Sequence, residues 1–150
     1  MKISIEKIKK LREMTGISIS ECKKALEESG EDFEKALEIL KKRGAEISEK
    51  KKERKTEEGR IGIYIHQDGK KAALVKVLCE TDFVARNERF KNLCHELAMQ
   101  VAAMDPKDIK ELLQQEYIRD PKKKIKDLLE ENIATLGENI QIKEFKRMEI

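Results

Sequence analysis

The residues Glu80-Thr81-Asp82-Phe83-Val84-Ala85 place a carboxylate beside an aromatic ring. They join a run that reads as a buried strand, Leu74 to Cys79, to one that reads as an amphipathic helix, from about Asn87 to Ala103. A junction of this kind is short and stiff, so it suits recognition: one aromatic anchor and one charge offered to a partner's pocket. The competing reading makes Phe83 ordinary core and Asp82 the cap of the following helix. Spacing alone does not choose between them.

Covalent chemistry has less support. The glycines are scattered as single turns and stops, with no glycine-rich phosphate loop. No Ser, Thr or Cys stands in a nucleophile context with a base nearby. Paired acids such as Glu27-Glu28 and Glu130-Glu131 read as exposed helix charge. His66 sits at a strand end, without the partner a general base needs. His66 and His95 are far apart, and neither has a second ligand at metal-binding spacing. The expectation is a protein that is not an enzyme and uses no metal or cofactor.

Composition narrows the partner class. Charged residues make up 42% of the 150-residue chain and aromatics only 4%, which implies a thin core and part of the chain extended. The net charge is only +3 with both signs interspersed, against a dedicated nucleic-acid binder. The clusters Lys50-Lys51-Lys52 and Lys122-Lys123-Lys124 are short and read as solvated faces. Cys22, Cys79 and Cys94 lie in apolar contexts without a CxxC spacing, so they read as reduced, buried thiols. There is no signal-peptide pattern and no run long enough to span a bilayer, so a soluble cytoplasmic protein is expected.

Periodicity supplies the frame. Ile5, Ile8, Leu11 and Met14 form a first helical stripe that Gly16 closes. Ser18-Ile19-Ser20-Glu21 has the form of a reciprocal capping box before a second helix carrying Cys22, Ala25 and Leu26. Asp32 caps a third, with Phe33, Ala36, Leu37 and Leu40, which Gly44 is expected to stop. Residues 45–58 alternate acid and base and read as a linker, either flexible or a single exposed helix held by charge pairs.

At Gly59 the period becomes that of a strand. Ile61, Ile63 and Ile65 alternate with Gly62, Tyr64 and His66. Asp68-Gly69 makes a hairpin turn, and Ala72 to Cys79 returns as a strand apolar on both faces, central and covered by helices. Phe90, Leu93, Cys94, Leu97, Ala98 and Val101 form the strongest helical stripe. A short helix at 107–115 and another starting at Pro121 follow, then a last strand from Ile140. In that strand Ile142 and Phe145 fall on opposite faces, which a bulge or two-sided burial would explain. The predicted fold is α+β, with a three-helix module at 1–44, a charged linker at 45–58 and a core at 59–150. That core is a three-stranded antiparallel sheet covered by helices.

Three stretches, taken together, are similar to the elongation factor Ts family. They are Leu11 to Gly16 followed by Glu21 to Leu26, then Glu80 to Asn87, then Leu136-Gly137-Glu138-Asn139-Ile140. The resemblance implies a guanine nucleotide exchange factor for elongation factor Tu in translation elongation. It implies that the three-helix module is like a ubiquitin-associated domain and docks on the partner. Arg12, Ile19, Ser20 and Lys23 fall where that docking occurs. Other members often carry two methionines where this chain has Ile19 and Ser20, and Ser20 fills an apolar pocket poorly. The resemblance further implies that Thr81, Asp82, Phe83 and Val84 enter the partner near its magnesium and phosphate site, with Phe83 wedging between helices and Asp82 disturbing the metal. Longer members have a core of two similar subdomains and this chain has room for one, so a homodimer binding two partner molecules is expected. The alternatives are a general binding adaptor using the three-helix module, and a ribosome-associated RNA binder using the lysine clusters.

Overall fold

The computed structural model describes residues 3–150. Helix α1 (Ile5–Thr15) starts at Ser4, whose hydroxyl accepts from the Lys7 amide, and ends at Gly16 in the left-handed conformation. Its buried face is Ile8, Leu11 and Thr15. Ile5 and Met14, expected in the stripe, are exposed, because at 100° per residue they lie on the flanks of that face. Helix α2 (Ile19–Glu28) is capped by Ser18, which accepts from the Glu21 amide. The reciprocal half of the predicted capping box does not form: the Glu21 carboxylate instead pairs with Arg43 at 2.7 Å.

Helix α3 (Phe33–Lys51) begins at Asp32 as expected but runs straight through Gly44. Gly44 is buried, and the direction of its missing side chain faces the backbone of Glu130. It serves a close approach between helices rather than a helix stop. Residues 45–51 of the predicted linker are therefore helical. They lie against α7 (Ile125–Leu136), where Lys51 Nζ donates to the Gly137 carbonyl at 3.0 Å. Lys41 adds an ion pair with Asp127 at 3.3 Å. The three helices enclose a small core of Leu11, Cys22, Leu26, Ala36 and Leu40.

Beyond this, β1 (Glu58–Ile65) and β2 (Lys71–Cys79) form an antiparallel hairpin, and β5 (Gln141–Glu149) pairs antiparallel on the other side of β2. Helix α5 (Glu88–Met104) packs on one face of this sheet. Its residues Phe90, Leu93, Leu97, Ala98 and Val101 share a core with Val75, Val77, Ile133, Ile140 and Ile142. At Gly62 a side chain would collide with the Cys94 carbonyl, so β1 touches α5 backbone to backbone. The register of β5 slips between Glu144 and Ile142, leaving Lys143 as an extra residue opposite β2. This bulge explains the broken alternation, for it lets both Ile142 and Phe145 pack on the core side.

The segment between α5 and β5 departs from expectation. Helix α6 (Ile109–Gln114) precedes a small hairpin, β3 (Glu116–Tyr117) and β4 (Asp120–Lys124). Pro121 lies in β4 and does not start a helix; α7 begins at Ile125, where the Asp127 carboxylate accepts from the Lys124 amide. Two polar residues on the apolar side of α5 hold this hairpin. Glu96, buried, accepts from the Tyr117 hydroxyl at 2.9 Å and from Arg119 Nε at 2.6 Å. Burial and that carboxylate both push the Tyr117 hydroxyl's pKa upward. Gln100, also buried, donates to the Glu116 carbonyl and accepts from the Ile118 amide.

The second face of the sheet is not covered. Ile61, Ile63, Ile65, Leu74 and Met148 are exposed there, so β2 is central but shielded by helices on one side only. Among the described residues no helix is long and apolar enough to cross a membrane.

Candidate functional site

The strand β2 ends at Cys79, fully buried, and the chain turns at once into α4 (Asp82–Ala85), a single helical turn. Thr81 caps it, its hydroxyl accepting from the Val84 amide at 3.3 Å. Steps of 100° along one turn send adjacent pairs of side chains to opposite sides. Val84 and Ala85 point inward and are 5% exposed. Asp82 and Phe83 point outward, and Phe83 is 83% exposed. An aromatic ring left in water at this corner has no role in the chain's own core. The next helix, α5, is capped by Asn87, which accepts from the Arg89 amide at 2.8 Å. Both parts of the competing reading thus fail: Phe83 is not core, and Asp82 does not cap α5.

The electrostatics of the corner are open on one side and closed on the other. Asp82 pairs with Arg86 at 2.9 Å, one turn along and well exposed, an interaction contributing at most about 1 kcal/mol. It leaves the carboxylate free to take another partner. On the inner side the Cys79 thiol donates to the Thr81 carbonyl at 3.3 Å. Burial, with the nearby Glu138 charge, pushes that thiol up to about 11.

Beneath the corner lies the segment after α7. Glu138 Oε1 accepts from the Glu80 and Thr81 amides, both at 3.0 Å, and its Oε2 accepts from the Thr81 hydroxyl at 2.7 Å. The Asn139 amide donates to Glu80 Oε2 at 3.2 Å, and its buried side chain donates to the carbonyls of Lys52 and Arg54. Sequence reasoning gave these two residues no role. The only available signal was their place after Gly137 in one of the three stretches that carry the family resemblance.

The other expected contact residues lie on different elements. Arg12 on α1 and Ile19 on α2 line a shallow cleft with Lys9 and Glu13. Ile19 is 52% exposed, so its side chain is open to a partner. Ser20 and Lys23, three apart on α2, are exposed beside it. Of the four residues expected at the corner, Thr81, Asp82 and Phe83 are in solvent. Val84 is turned into the core, where it anchors the turn.

Residues 80–150, from the corner to the final strand, match the family model for elongation factor Ts. Elongation factor Ts of Thermotoga petrophila is 45% identical over an alignment covering all of this chain and 97% of that protein. The chain belongs to the elongation factor Ts family. The family's role is guanine nucleotide exchange on elongation factor Tu in translation elongation. The family member from Coprothermobacter proteolyticus is 41% identical, covering 98% of each chain. That of Aquifex aeolicus is 45% identical over 98% of this chain but 52% of its own length. The Thermotoga alignment runs over 193 positions against 150 residues here, so that family member carries segments this chain lacks.

Proposed function

We propose that this chain binds elongation factor Tu carrying GDP and speeds GDP release by disturbing the partner's magnesium and phosphate site. The observation that carries the reading is Phe83, 83% exposed on a single turn fixed to the core from below. The α1–α2 face, through Arg12, Ile19, Ser20 and Lys23, docks on the partner as a ubiquitin-associated-like module. Phe83 then wedges between partner helices, Asp82 repels or displaces groups that hold the metal, and Thr81 and Val84 hold the turn. The segment 52–57 joins the two parts.

No covalent step is required. A factor that binds the nucleotide-free partner more tightly than the loaded one weakens nucleotide binding by the same coupling free energy. Each tenfold gain in release takes about 1.4 kcal/mol of that coupling. One buried aromatic anchor supplies roughly 2–4 kcal/mol. The chain is accordingly a binding protein of the cytoplasm, not an enzyme, and it acts without a cofactor or direct nucleic-acid contact.

The uncovered sheet face supports a homodimer. Ile61, Ile63, Ile65 and Leu74 form an apolar stripe on a single three-stranded sheet. Two such sheets stacked face to face at the usual spacing of about 10 Å would bury it symmetrically. Light scattering on the wild type should give twice the chain mass, and Ile63→Glu should give the single mass. A wild-type monomer at micromolar concentration overturns this part. The exchange reading is tested by the release of fluorescent GDP from elongation factor Tu, which the chain should accelerate strongly; an unchanged rate overturns it.

A further inference from the structure

A helix of four residues has no stability of its own, since nucleation alone exceeds what so few hydrogen bonds return. Its inward side chains, Val84 and Ala85, are small. Something else must fix the angle at which Asp82 and Phe83 leave the surface. The joint between β2 and α4 presents three donors, the amides of Glu80 and Thr81 and the Thr81 hydroxyl. All three point at one carboxylate, that of Glu138. Hydrogen bonds to an ionised acceptor are about twice as strong as neutral ones.

The Thr81 hydroxyl is the centre of this arrangement. It donates its proton to Glu138 and accepts from the Val84 amide. The carboxylate thereby orients the hydroxyl so that its lone pair faces the amide it must cap. Glu138 itself stands directly after Gly137, which ends α7 in the left-handed conformation. Asn139 beside it ties Glu80 to the carbonyls of Lys52 and Arg54, where α3 ends. The corner is thus referenced to the ends of two long helices rather than to its own short turn.

We propose that Glu138 is a positioning residue for nucleotide exchange, acting through Thr81 to hold Phe83 and Asp82 at a fixed angle to the core. This rests on the exchange reading above. Binding by α1 and α2 does not depend on Glu138, whereas the wedge does. Glu138→Ala should therefore lower the maximal rate of GDP release and leave the half-saturating concentration nearly unchanged. Glu138→Gln keeps an oxygen for both amides and turns the Thr81 hydroxyl from donor to acceptor, so it should recover most of the loss.

The test measures fluorescent GDP release from elongation factor Tu across a full titration of each variant. The set is wild type, Glu138→Ala, Glu138→Gln, Thr81→Val, Phe83→Ala and the Glu138→Ala/Phe83→Ala pair. A maximal rate lowered about tenfold in Glu138→Ala, matched by Thr81→Val and restored by Glu138→Gln, is expected. In the Phe83→Ala background, Glu138→Ala should cost much less than in the wild type, no more than the severalfold share that Asp82 carries. Thr81→Val removes the same link while the Glu80 and Thr81 amides stay paired with Glu138, and of the backbone donors only the Val84 amide loses its partner, so it reports even if Glu138→Ala folds poorly. Losses that multiply in the double variant, or a full rate in Thr81→Val, overturn the proposal while leaving the exchange reading standing. A wild type that does not accelerate release, or a Phe83→Ala that releases at the full rate, overturns both.

Discussion

The corner at Thr81–Val84 and the face at Arg12, Ile19, Ser20 and Lys23 both hold an apolar side chain out in water, yet they are built on opposite plans. Phe83 stands on one turn that is useless alone and is fastened to the main core through Val84, Ala85 and Glu138. Ile19 stands on a ten-residue helix with its own cap and its own small core of Leu11, Cys22 and Leu26. In the proposed reading the braced corner is the part that presses on the partner. In the same reading, α1 and α2 supply contact area on the partner, held to the core through α3, which lies along α7. The difference implies that damage to the corner lowers the rate of exchange, and damage to the module raises the concentration needed to reach it.

The largest effect that sharpens this contrast comes from emptying the module's core. Leu26 is fully buried, and Leu26→Ala should cost ~2–5 kcal/mol, enough to unfold so small a unit. Titrated exchange should then show a half-saturating concentration raised well over tenfold and a maximal rate lowered much less, because the end of α3 stays tied to the core through Lys51 and Asn139. A fall in maximal rate of the same size would merge the two regions into one. Ile19→Asp should do the same more gently, about tenfold in half-saturating concentration and little in melting temperature, since the residue is half in solvent. Asp82→Asn should act on the other axis, lowering the maximal rate severalfold. Its melting temperature should hold, because the Arg86 pair it loses is exposed.

The smallest expected signal concerns the thiols beneath the corner. Burial pushes Cys79 up to about 11 and Cys94 to about 12. The thiolate is the reactive form, so at pH 8 the native protein should take up almost no alkylating reagent at either. Both should label in denaturant. Rapid native labelling of Cys79 by mass spectrometry would mean that the β2–α4 joint opens, contrary to a rigid corner.

Much of this was legible in the residues themselves. The alternation at Ile61–Ile65, the Asp68-Gly69 turn and the stripe from Phe90 to Val101 gave the hairpin and its covering helix. The junction at residues 80–85 was visible, but whether Phe83 pointed in or out was not. Orientation depended on whether one helical turn intervened, and such a turn has no periodic signature. Gly44 was misread because glycine ends helices and also lets helices approach, and only the presence of α7 decides which. Pro121 was misread because it suits a helix start as well as an edge strand, and the tertiary bonds from Glu96 and Gln100 select the strand. Glu138 was invisible as a support because its donors lie 57 and 58 residues away in sequence.

In the proposed mechanism an exposed ring on a braced turn drives nucleotide loss from the partner. This is tested most directly by stopped-flow release of fluorescent GDP from elongation factor Tu, with saturating wild type and saturating Phe83→Ala side by side. The wild type should accelerate release strongly and the variant should lose at least about thirtyfold, the size of a ~2 kcal/mol anchor, with equal melting temperatures. Equal release rates for the two proteins would contradict it.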